Sequence, residues 1–198
     1  MREPTSQDVK DLWLYMTSHY GTTTINKTTS SEAQAIAKLL DLLGITDEAS
    51  FKTKFVTTIG TKIYLPFEIG DENDPNGWTL WSQVEICAHE HQHVVQANTM
   101  GLVQFAEYYL LSKAGRSICE AEAYTVSVGM FAWHYGVMPD LDVYAEYMDS
   151  YGVDAADINY VDKHLRLASP ALLQGAMPPE AGIVAQRWLS AHIPDLKA

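Results

Sequence analysis

Cysteine is nearly absent from this sequence. Two residues of 198, Cys87 and Cys119, are too few for a disulfide scaffold, and thiols at this density ordinarily serve as small buried side chains. Basic residues are scarce too: 13 Lys and Arg stand against 25 Asp and Glu, a formal charge of −12. That balance argues against nucleic acid, whose phosphates need a basic face, and against anionic membranes. No apolar run approaches the roughly 18 residues of a membrane span. The stretch MREPTSQDVKDLW lacks the apolar core of a secretory signal, so the expectation is a cytoplasmic protein. Repeats, low-complexity tracts and linkers are missing as well, and the chain reads as one domain over 1–198. With 47% hydrophobic and 19% charged residues it has the composition of a folded chain.

What is present reads as three parts: a helical stretch over 1–53, a central part over 54–136 and a helical end over 137–198. Thr5 or Ser6 caps a first helix that Gly21 ends. The Thr-rich TTTINKTTSS reads as a loop, and Ser30 or Ser31 caps a second helix, EAQAIAKLLDLL, stopped by Gly44. KFVTTIGTKIYLPFEI has the β-branched and aromatic content of a hairpin, turning near Ile59-Gly60 with Thr61 to Leu65 as its second strand. Pro66 implies that this strand ends there or lies on an edge. DENDPNG is turn chemistry. Ser82 and Glu85 have capping-box spacing for a helix running to about Met100, with Gly101 as its stop. LVQFAEYYLLSKAG and SICEAEAYTVSVGMFAWHYG read as two further helices, and 155–168 and 179–192 as two more. The class is α+β, mainly helical with one small β element.

The stretch CAHEHQHVVQ, Cys87 to Gln96, carries the chemistry. On a helix His89 and His93 lie one turn apart on the same face. His91 points roughly 200° away at the ~100° per residue of a helix. Glu90 stands at the edge of the His89/His93 face. The resulting HExxH offers two imidazoles to one metal ion and a carboxylate beside it. Zinc suits such donors: a catalytic site takes three protein ligands and one water, and the adjacent carboxylate can move that water's proton. Two histidines require a third ligand. Glu120 lies 27 residues beyond His93 in EAEAY, on a later helix among apolar residues that disfavour a surface position. Tyr124 shares its face, and Glu122 does not.

HEHQHVVQ followed by EAEAY resembles the gluzincin metallopeptidases, which carry HExxH on one helix and a glutamate ligand on a later one. The resemblance covers about 54–133 and implies a zincin-like domain with a small hairpin or sheet before the HExxH helix. It implies one Zn2+ held by His89, His93 and Glu120, and Glu90 as general base. Tyr124 stands where some branches support a ligand histidine with Asp, which makes it a supporting residue. The hairpin TTIGTKIYLPF matches the strand that pairs with an extended peptide or protein substrate. His91 departs from the apolar residue common at its position. The oxyanion-stabilising group is open among His134, Tyr135, Tyr160, His164 and Arg166, with Tyr160 and His164 as the candidates carried forward. Cys87 and Cys119 are expected to pack between helices. A structural zinc in a binding or assembly protein remains a second reading, and a metal-free histidine pH sensor a third.

Overall fold

The computed structural model describes residues 2–45 and 47–198; Met1 and Thr46 lie outside the described residues. Helix α1 (Ser6–Tyr20) opens on Thr5, whose side chain accepts from the Asp8 amide while the Asp8 carboxylate accepts from the Thr5 amide. Strand β1 (Thr23–Asn26) follows, then helices α2 (Ser31–Leu42) and α3 (Glu48–Thr53) and strands β2 (Thr57–Ile59) and β3 (Lys62–Leu65). The long helix α4 (Leu80–Met100) leads through Gly101 into α5 (Leu102–Leu111), and Ser112 caps α6 (Lys113–Tyr135). Helices α7 (Leu141–Tyr147), α8 (Ala155–Leu173) and α9 (Glu180–His192) complete the chain, with short 3-10 turns at Met148–Tyr151 and Pro194–Leu196. The described residues are thus mainly helical with a three-stranded sheet, consistent with the α+β class. No helix among the described residues is long and apolar enough to cross a membrane.

The sheet has the order β1-β3-β2, with β1 parallel and β2 antiparallel to β3. One expectation changes here, and one open alternative closes. Part of the Thr-rich stretch is strand β1, not loop; its β-branched Thr23, Thr24 and Ile25 pair with Lys62, Ile63 and Tyr64. Strand β3 is central, not an edge. Pro66 simply follows its last residue, where no ladder donor is needed. The edge is β2.

The core forms around α4 and α6. Val9, Leu12, Trp13 and Met16 repeat at helical spacing along α1 and pack on Val84, Cys87 and Ala88 of α4, with Val126 and Met130 of α6 and Ala185 and Leu189 of α9. On the other side of α6, Ala121, Tyr124 and Val128 meet Tyr144, Val161 and Leu165 from α7 and α8. Both central helices are therefore covered on opposite sides, and their polar residues must find partners inside.

Four helix boundaries differ from the sequence reading. Thr79, not Ser82, caps α4: its hydroxyl accepts from the Ser82 amide at 3.1 Å, and Glu85 turns inward to accept from the Tyr144 hydroxyl at 3.0 Å. SKAG belongs to α6, because Ser112 Oγ accepts from the Gly115 amide. Helix α8 continues through the exposed Pro170 to Leu173, since the carbonyl that the proline leaves unpaired is that of exposed Arg166. The short helices α3 and α7 are too brief for a periodic signal.

Two glycines make the geometry around α5. Gly101, at φ +87°, lets α4 end and α5 begin with one intervening residue. Gly115 lets α6 approach α5 so closely that a Cβ there would stand 2.4 Å from the Tyr108 carbonyl oxygen.

Candidate metal site and its cavity

The helical geometry separates the histidines as their spacing predicts. His91 lies in the core between the rings of Trp13 and Tyr20, with centroids 6.0 and 5.3 Å away. Its Nδ1 donates to the Cys87 carbonyl at 2.7 Å, so Nε2 accepts from the Thr22 hydroxyl at 3.0 Å. Burial holds His91 in the neutral form, its pKa pulled down to about 4.

His89 and His93 face the other way, toward α6. Both are buried, at 2% and 6% exposure, and so is Glu120 at 1%. His89 Nε2 lies 3.5 Å from Glu120 Oε2 and His93 Nε2 lies 3.4 Å from Oε1. The three donor atoms sit within 4.8 Å of one another, a group that could hold a metal ion. Two details fit a cation there. Glu120 Oε2 is buried without a hydrogen-bond partner among the described residues, a costly arrangement that an ion would relieve. Each imidazole also has its far nitrogen occupied: His89 Nδ1 is 3.2 Å from Ser127 Oγ and His93 Nδ1 is 2.9 Å from Gln96 Oε1, which leaves both Nε2 atoms aimed inward. Burial raises the Glu120 pKa, but the two imidazoles, His93 foremost, outweigh it and hold the carboxyl well below its usual range. Burial likewise lowers His93, and Glu120 overrides it and draws the imidazole upward.

Glu90 sits beside the group. Its Oε2 accepts from Thr58 Oγ1 of β2 at 2.7 Å, so the edge strand fixes the carboxylate. Oε1 has no protein donor among the described residues. Glu90, His93 and Glu120 together line one end of a cavity of about 130 Å³. The remaining wall is mostly apolar: Ile36, Leu39 and Leu40 from α2, Val56 and Ile59 around β2, and Leu102 and Phe105 from α5. Tyr109 and Tyr151 add phenol hydroxyls to the lining. Tyr109 donates to Glu120 Oε1, and burial next to that carboxylate pushes its own pKa well up.

The other candidates lie elsewhere. Tyr124 rests its ring on His89, centroids 5.0 Å apart, with its hydroxyl directed at Tyr151; the hydrogen-bond partner of His89 Nδ1 is Ser127 Oγ instead. Tyr160 and His164 stand 6.0 Å apart on α8, and neither lines the cavity. His134 is stacked under Trp81 and bound to the Leu196 carbonyl, Tyr135 packs on the same Trp81, and Arg166 pairs with Asp142 and Asp162. Neither cysteine joins the group; burial pushes both thiols upward, Cys119 to about 12. Sequence reasoning missed Thr58, Gln96, Tyr109, Ser127 and Tyr151. Ser127 had a signal: it completes the spacing of Glu120 and Tyr124 along one face of α6. Comparison with protein-family models, curated proteins and solved structures finds no match to this chain.

Proposed function

We propose that this protein is a zinc-dependent metallopeptidase of the gluzincin type, with His89, His93 and Glu120 as ligands and Glu90 as general base. The observation that carries the reading is that Glu90 opens into the same cavity as two of the three buried ligands. Two imidazoles and one carboxylate match the donor set of a catalytic zinc, which supplies Lewis acidity toward a carbonyl oxygen and lowers the pKa of a bound water. The protein's own residues do the rest. Strand β2 offers its free edge to an extended peptide, and the apolar wall takes a substrate side chain. Thr58 holds one Glu90 oxygen, so the other accepts the proton of the attacking water and returns it to the leaving amine. We assign Tyr151, in place of Tyr160 and His164, as the group that stabilises an oxyanion, because it lines the cavity and they do not.

The test is a peptide-library digest by wild type, Glu90→Gln and chelator-treated protein. Cleavage by wild type alone supports the mechanism, and equal cleavage by Glu90→Gln would refute it. A structural-metal reading is favoured by one observation: the ligands tie α4 to α6 in the interior, where Tyr109 already covers one Glu120 oxygen. Under that reading metal removal unfolds the protein and no peptide is cleaved.

A further inference from the structure

We infer that Gln96 and Glu122 act in series as positioning residues for His93, a role that rests on the metal site proposed above. Glu122 is the second glutamate of EAEAY, and helical geometry points it away from the ligand face. It reaches the site by another route. Gln96 lies one turn beyond His93 on α4, 5% exposed, and spans to α6. Its Nε2 donates to the Cys119 carbonyl at 2.9 Å and to Glu122 Oε2 at 2.7 Å.

These partners remove the usual ambiguity of an amide. Both are acceptors only, so a flipped Gln96 would set its oxygen against two other oxygens. The amide oxygen must therefore face His93. An oxygen acceptor requires the proton on Nδ1, and that leaves the Nε2 lone pair directed at Glu120 and any ion bound there. Two acceptors on α6 fix the amide, the amide fixes the tautomer, and the tautomer fixes the donor atom. The Glu122 charge also polarises the amide and strengthens its hold on the imidazole proton. Cys119 is the neighbour of Glu120 in the chain, so the same amide sets the spacing of the two ligand helices.

Zinc affinity, measured by competition with a chromogenic chelator, tests the series. Gln96→Leu should bind zinc 10–100-fold more weakly. Glu122→Gln keeps the side-chain volume on a partly buried position and should lose about 3–10-fold. The double variant should match Gln96→Leu, because Glu122 reaches His93 only through Gln96. Long-range proton–nitrogen NMR of the metal-free protein, at a pH high enough to make His93 neutral, should find it protonated at Nδ1 alone in wild type and in mixed tautomers in Gln96→Leu. Should Gln96→Leu fail to fold, Glu122→Gln decides alone. Affinity within about twofold of wild type for Glu122→Gln, or equal losses from it in both backgrounds, would overturn the series. In that case wild type still binds zinc and the metal reading stands. A wild type that binds no zinc would sink both.

Discussion

Gly115 gives the most quantitative handle on the site. A methyl group there would stand 2.4 Å from the Tyr108 carbonyl oxygen and 2.9 Å from two atoms of its ring. Ordinary contact needs about 1 Å more, and the nearest atom belongs to the backbone of α5, so the helix itself must yield. Overpacking of this kind costs about 2–3 kcal/mol. Helix propensity opposes it, since alanine is better than glycine by up to about 1 kcal/mol. The clash wins by about 1–2 kcal/mol, and at about 2–4 °C per kcal/mol Gly115→Ala should lower the Tm by about 2–8 °C. The displacement also reaches the ligands. Arg116 holds the end of α5 by donating to the Tyr109 and Leu110 carbonyls, both at 3.0 Å, and to the Tyr151 carbonyl at 2.6 Å. Moving α5 loosens the Tyr109 bond to Glu120 and should weaken zinc binding along with stability. Thermal unfolding by circular dichroism with a parallel chelator titration reads both. An unchanged Tm, to within about 1 °C, would refute the claim that this close approach is required.

Other outcomes follow from the same geometry. Tyr151→Phe should lower kcat about 10–1000-fold with little change in KM; an unchanged kcat in steady-state peptide hydrolysis would remove Tyr151 from the mechanism. Chelation should lower the Tm by about 5–10 °C relative to protein with zinc at 100 times its Kd, because the ion binds only the folded state; scanning calorimetry reads the shift. Burial pushes Glu85 up to about 7. A folded acid with a raised pKa favours the protonated form, so its contribution is complete below about pH 4.5 and is lost as pH rises through 7. Stability should fall by about 1–3 kcal/mol across that window after allowing for part exposure. Urea midpoints at pH 5 and pH 8 should show the fall in wild type and not in Glu85→Gln.

Local periodicity carried most of the ligand geometry. The i, i+4 spacing was enough to pair His89 with His93 and to turn His91 away from them, because a helix fixes angles over short distances whatever surrounds it. Glu120 was legible for a related reason: an isolated carboxylate in an apolar stretch needs a partner. What stayed hidden depends on tertiary approach. Thr58 reaches Glu90 only because β2 lies at the sheet edge over α4, and nothing within β2 records that neighbour. Strand β1 was hidden because its partner is 39 positions away, Thr23 on Lys62, and parallel pairing leaves no turn between the strands. Residue type alone points to Tyr160 and His164, and type says nothing about which helix face meets a cavity.

The single-residue joint at Gly101 has a kinetic consequence. Helices α4, α5 and α6 follow one another almost without loops, so all the ligands belong to one local stretch of chain. Each of these helices packs on the next as it forms, closing the ligands over 27 to 31 positions, whereas β1 must find β3 over 39 positions across two intervening helices and a strand. The ligand corner can therefore assemble before the sheet that walls the cavity. On the proposed reading a refolding chain closes the His89–His93–Glu120 corner first and the cavity later, and zinc present during refolding should accelerate the early phase while leaving the sheet-closing phase at its own rate.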